Sequence, residues 1–226
     1  MKPVIQLKDV WKIYKMGEEE VKALRGMDLT VKKGEYLAIM GPSGSGKSTA
    51  MNMIGCLDTP TRGTILLEGK DISKMAESDL AQIRGKKIGF VFQNFNLINT
   101  LTAQENVMLP MIFQDMPEGK RRKRSKELLT EVGLGERLNH KPNELSGGQQ
   151  QRVAIARALA TSPEVILADE PTGNLDSKTG RDVMKFFKEL HKTGVTIILV
   201  THDSDVAKFA DRITILKDGA IQKKGG

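Results

Sequence analysis

Residues 41–49 read Gly41-Pro42-Ser43-Gly44-Ser45-Gly46-Lys47-Ser48-Thr49 and follow directly on the apolar run 36–40. That order puts a glycine-rich turn between a buried strand and a helix, which constrains the chain to an α/β fold with a phosphate site at its strand ends. Glycines let backbone N–H groups converge on an anion, Lys47 adds a mobile positive charge, and Ser48 offers a hydroxyl to Mg²⁺. The helix start contributes its positive end. The plain alternative is a flexible glycine turn; the strand before it and the helix after it favour the phosphates of a nucleoside triphosphate.

Short apolar runs recur at 64–67, 88–92, 165–168, 195–200 and 213–216, separated by helical stretches. This alternation is that of an α/β sandwich. The runs 165–168 and 196–200 lack the polar alternation of a half-exposed strand, as expected of central parallel strands buried on both faces. The opening differs: 5–10 and 27–31 alternate apolar and polar residues before a Lys33-Gly34 turn, which predicts a half-exposed antiparallel sheet. From about 94 to 162 strand signals fade, and an inserted helical subdomain is expected there. A chain of 226 residues fits one such domain.

Composition narrows the setting. The single cysteine, Cys56, allows no intrachain disulfide and suits a reducing compartment; its neighbours Ile54 and Leu57 predict a packed thiol. No run approaches the roughly 18 apolar residues of a membrane span, and the first residues lack the form of a secretion signal, so the chain is expected to be soluble. The net charge of +7 favours acidic partners in general. Six of the seven residues 120–126 are basic, but no aromatic lies among them, so they read as a solvated helix face and nucleic acid is not expected.

A second glycine turn, Leu145-Ser146-Gly147-Gly148-Gln149, precedes a stretch whose Val153, Ala156, Leu159 and Ala160 follow helical spacing. Ser146-Gly147-Gly148 by itself reads first as an ordinary helix cap and only second as an exposed helix start that forms another anion site; Leu145 and Gln149 on either side reverse that order. Together with the first loop and the apolar-Asp169-Glu170 strand end, it resembles the signature of ATP-binding cassette (ABC) ATPases. The resemblance covers essentially the whole chain. Closer likenesses at 54–58, 90–93 and 145–152 point to the lipoprotein-release and macrolide-efflux branch, called LolD/MacB-like, with the cell-division ATPase FtsE a near relative.

The resemblance implies a P-loop NTPase core (RecA-like, mainly parallel sheet), an N-terminal antiparallel β-subdomain and an inserted helical subdomain. It implies ATP and Mg²⁺, with Asp169 holding the metal opposite Ser48, Gln93 touching the metal at a hinge, and Tyr14 stacking on adenine, a role for which Trp11 competes. Glu170 would orient or deprotonate the attacking water, and His202 would hold it in line. Ser146, Gly147, Gly148 and Gln149, with Asp176, would meet the nucleotide held by a second copy of the chain. An ATP-dependent homodimer working beneath membrane-embedded permease subunits follows, at the cytoplasmic face of the membrane. The alternative is an FtsE-like mechanical regulator of a membrane protein.

Overall fold

The computed structural model describes residues 2–17 and 19–222. Two long strands open the chain, β1 (Pro3–Met16) and β2 (Glu19–Lys32), paired as an antiparallel hairpin. Next come β3 (Tyr36–Met40), α1 (Lys47–Ile54), β4 (Arg62–Leu67), β5 (Lys70–Asp71), α2 (Glu77–Lys87) and β6 (Ile88–Phe92). Helices α3 (Ala103–Ile112), α4 (Glu118–Glu131) and α5 (Gly147–Leu159) lead to β7 (Val165–Asp169), α6 (Ser177–Lys192) and β8 (Thr196–Thr201). The short α7 (Ser204–Ala207), β9 (Arg212–Lys217) and β10 (Ala220–Ile221) complete the described part.

One sheet has the order β2-β1-β4-β5 and is antiparallel; the other runs β10-β9-β3-β8-β7-β6. In the second sheet every pairing from β9 to β6 is parallel, and β10 alone turns back. The run 64–67, expected among the parallel strands, lies instead in β4 beside β1. Its burial alternates, so it needs a core on one face only.

The two-residue period of the strands divides the interior. Tyr36, Ala38, Ile166, Ala168, Ile197 and Leu199 point to one core, shared with α3, α4, α5 and α6. Leu37, Ile39, Val165, Leu167, Ile198 and Val200 point to the other, which packs α1 between the two sheets. Cys56 belongs to that second core, where burial pushes its thiol up to about 11. It is inert, as its neighbours predict.

Among the described residues no strand occurs between β6 and β7, in line with a helical insertion. Thr102 starts α3 with a capping box to Glu105. In α4 the basic side chains Lys120, Arg122, Lys123 and Lys126 are exposed while Ser125, Leu128 and Leu129 are buried, the solvated face read from sequence. Helix α5 runs back under β6, so its last turns serve the parallel sheet as much as the insertion. No helix among the described residues is long and apolar enough to cross a membrane.

The α5–β6 approach depends on Gly89, where a Cβ would stand 2.3 Å from the Ala158 carbonyl oxygen. Replacing Gly89 with Ala is expected to cost about 1–3 kcal/mol by forcing the helix off the sheet. Gly119→Ala, in α4 with no atom near the added methyl, should leave stability equal or slightly higher. Urea unfolding of both variants checks the contrast.

Candidate functional site

A cleft of about 1270 Å³ opens where β3, β6, β7 and β8 end. Most of the first glycine loop forms its floor: Gly41, Pro42, Ser43, Gly44, Gly46, Lys47, Ser48 and Thr49 all line it, while Ser45 is buried behind them. Only glycine fits at 41, because a Cβ there would lie 2.2 Å from the Leu216 carbonyl oxygen. Gly46 is left-handed (φ 98°) and stands at the N-cap of α1, which receives no side-chain cap. The first N–H groups of α1 therefore face the cleft without helical partners.

Two further observations show that this cradle suits an anion. The Ser45 hydroxyl is buried and finds no hydrogen-bond partner among the described residues. The Lys47 ammonium folds back onto the carbonyl oxygens of Gly41 (2.7 Å) and Pro42 (2.8 Å). Weak neutral acceptors of this kind yield readily to a phosphate oxygen, which binds an ammonium more strongly.

The opposite wall is acidic. Parallel register sets Asp169 level with Phe92 of β6 and Val200 of β8, so Asp169, Gln93 and Thr201 gather at one end of the sheet. Burial, reinforced by the neighbouring Glu170 carboxylate and opposed by Lys47, raises the Asp169 pKa above the usual aspartate value. Glu170 has a left-handed backbone (φ 44°), and its N–H donates to the Val200 carbonyl oxygen at 2.9 Å. Its Oε2 accepts from the Thr201 hydroxyl (3.0 Å); its Oε1 accepts from the His202 amide (2.9 Å) and lies 2.6 Å from His202 Nδ1. Gln93 donates to the Asn174 side chain, which donates in turn to the Gln93 carbonyl oxygen.

Ser48, Gln93 and Asp169, proposed from sequence as metal donors, all line this one cleft. Among the described residues no cluster of three or more His, Cys, Asp or Glu side chains is placed to hold a metal alone. A hydroxyl, an amide and one carboxylate beside a phosphate cradle fit Mg²⁺, which takes few protein ligands and completes its shell with phosphate and water.

The aromatic residues depart from expectation. Tyr14 is not among the residues lining the cleft; its hydroxyl donates to Asp58 at 3.0 Å and the Lys12 ammonium sits 5.0 Å from its ring. Trp11, the competitor, donates from its indole to Asp9 and does not line the cleft either. Val21, the partner of Tyr14 across the hairpin, does line it, with Ala23 and Arg25 of β2 and Ile215 and Gly219 near the chain's end. Nothing local in the sequence marks these residues. They arrive through tertiary pairing, in which the Arg25 amide donates to the Gly219 carbonyl oxygen. Thr201 was also missed, although its place before His202 at a strand end was a usable signal.

The second glycine turn lies elsewhere. Ser146, Gly148 and Gln149 line a separate cleft of about 290 Å³ with Arg152, Thr179 and Asp182, and none of its lining residues borders the first cleft. The start of α5 is not uncapped: the Gln149 amide donates to the Ser146 hydroxyl, and the Gln149 side chain accepts from the Ser146 amide. Gly148 presses on Thr179, where a Cβ would meet the methyl at 2.3 Å. Gly147 faces Leu175. Asp176 is occupied as the N-cap of α6, accepting from the Lys178 and Thr179 amides at 3.0 Å.

The family model of ABC transporters matches residues 24–173. The chain belongs to the ABC transporter family. An uncharacterized ABC transporter ATP-binding protein of Thermotoga maritima is 56% identical over 222 residues, 98% of this chain and 95% of that protein. The macrolide export ATP-binding/permease protein MacB of Brucella melitensis is 52% identical over 219 residues, which span 97% of this chain and 34% of MacB. A dimeric post-hydrolysis structure of the ATP-binding cassette MJ0796, from Methanocaldococcus jannaschii, bound to ADP and Pi, superposes with a TM-score of 0.88 at 54% identity and covers 97% of each chain. This ABC ATPase chain thus matches cassettes of its own length and the ATP-binding part of longer exporters.

The Asp169 carboxylate carries its charge at a cost in the folded protein. That cost is fully present above its raised pKa and vanishes as pH falls below the ordinary aspartate value. Asp169→Asn is therefore expected to melt at a higher temperature than wild type at neutral pH without nucleotide, with the gap closing towards about pH 4. Thermal melts at the two pH values check the sign.

Proposed function

We propose that this chain is the ATP-hydrolysing subunit of an ABC transporter, closing head-to-tail on a second copy around ATP to drive separate permease subunits in export or lipoprotein release. The observation that supports it best is the separation of two unlike half-sites on one chain, a phosphate cradle with its acidic wall and a distinct helix start at Ser146. A two-fold dimer of such chains completes both sites at once.

In this reading the triphosphate lies along residues 41–49, where the α1 amides meet its oxygens and Lys47 leaves the loop carbonyls for them. Mg²⁺, when bound through Ser48, Asp169 and Gln93, neutralises charge on the phosphates. Glu170 faces the attacking water and orients it or takes its proton. Thr201 and the His202 amide fix one face of that carboxylate, and the exposed His202 ring reaches out to hold carboxylate and water in line. Ser146, Gly147, Gly148 and Gln149 would touch the nucleotide of the second copy, and Asp176 would act there by holding the start of α6. Tyr14 would stack on the base through its ring face, while its hydroxyl is held by Asp58.

Glu170→Gln keeps the shape and removes the charge. It is expected to bind ATP within about threefold of wild type, to lose hydrolysis by about a hundredfold or more, and to double its light-scattering mass when ATP is added. A variant that stays monomeric with ATP, or turns over at the wild-type rate, refutes the assignment. Pull-down from detergent-solubilised membranes of the source cell is expected to recover a permease; recovery of a division protein instead would favour the FtsE-like reading.

A further inference from the structure

We propose that Gln151 is a positioning residue for hydrolysis, its buried carboxamide tying the start of α5 to the turn that presents Glu170. This rests on the reading of Glu170 given above and deepens it. Gln151 is fully buried, and its Nε2 donates to the Pro171 carbonyl oxygen at 2.6 Å. Proline has no N–H, so that carbonyl is the only backbone group through which Pro171 can be hydrogen-bonded.

The turn needs such a hold. Glu170 adopts a left-handed backbone that non-glycine residues avoid. Its N–H is anchored to β8 through the Val200 carbonyl oxygen, and the Gly173 amide returns to the Glu170 carbonyl oxygen at 2.9 Å. Those bonds fix the near side of the turn and its closure. Gln151 supplies the bond from the helix side, and it sits two residues beyond Gln149, whose amide closes the cap with Ser146. One buried side chain thus joins the helix start in the second cleft to the carboxylate in the first.

Stability gives little reason for a glutamine here. Its Oε1 is buried and has no partner among the described residues, and an unpaired buried acceptor costs at least as much as one neutral hydrogen bond returns. An apolar side chain of the same length would remove that orphan but leave the buried Pro171 carbonyl oxygen without a donor, so the two costs are similar. Stability thus selects the glutamine only weakly, and holding the Glu170 turn in register is what its bond to Pro171 is placed to do.

Gln151→Met separates the two roles, since methionine keeps the volume, deletes the bond and exchanges one unpaired buried acceptor, Gln151 Oε1, for another, the Pro171 carbonyl oxygen. The variant is expected to melt about 2–4 °C below wild type and to bind ATP within about twofold of it, with kcat lower by about tenfold to a hundredfold and KM near wild type. Combined with Glu170→Gln it should still form the ATP-dependent dimer. Wild-type kcat overturns the proposal, as does a loss of kcat accompanied by weakened ATP binding or by loss of the dimer. If Glu170→Gln alone hydrolyses ATP like wild type, the underlying reading of the site has failed, and the proposal falls with it whatever Gln151→Met does.

Discussion

The parallel register of β3, β8, β7 and β6 is the constraint on which the remaining structure depends. Met40 pairs with Thr201, Asp169 with Val200, and Phe92 with Asp169, so four strands end level and hand their next residues to one cleft. Because side chains alternate across a strand, a one-residue slip of β7 would exchange its two faces and carry Asp169 and Glu170 out of line with Lys47. The apolar faces prevent that slip. Val165 and Leu167 are committed to the core around α1, and Ile166 and Ala168 to the core under the helices.

Against this rigid base the site holds several unfavourable features close together. Glu170 is left-handed, a conformation that costs a non-glycine residue roughly 1–2 kcal/mol. The Ser45 hydroxyl is buried without a partner, a loss of about 1–3 kcal/mol. Asp169 sits beside a like charge in a half-buried position. A divalent cation would relieve the like-charge pair, which the free protein offsets only through Lys47. Strain concentrated where a ligand would remove it is the pattern of a preorganised site.

Much of this could be read in the sequence, and the reasons are local. The loop 41–49, the strands at 36–40, 88–92 and 165–168, and the capping residue Ser146 each carry their signal within a few neighbouring residues. Where reading fell short, the cause lay in distant pairing. The run 64–67 looked like the core strands because a four-residue apolar run does not say which sheet it joins. The β2 wall of the cleft was invisible because it is set by the hairpin's contact with Gly219. Tyr14 was placed in the site by likeness alone, and its bond to the Asp58 carboxylate, 44 residues away, is a tertiary contact that no local signal announces.

The two helix starts differ in a way that orders events in the proposed cycle. Helix α1 begins at a glycine with no side-chain cap, so its amides are available and a phosphate entering there displaces nothing but water and the Lys47 contacts. Helix α5 begins with a closed Ser146–Gln149 box, so two of its polar groups are already satisfied and only the glycine amides remain for a newcomer. A ligand gains less at a start that supplies its own partners. The cleft at Ser146 is therefore a poor site for free nucleotide and a sufficient one for nucleotide already fixed on another chain's loop. In the proposed cycle, binding at residues 41–49 therefore comes first and closure second.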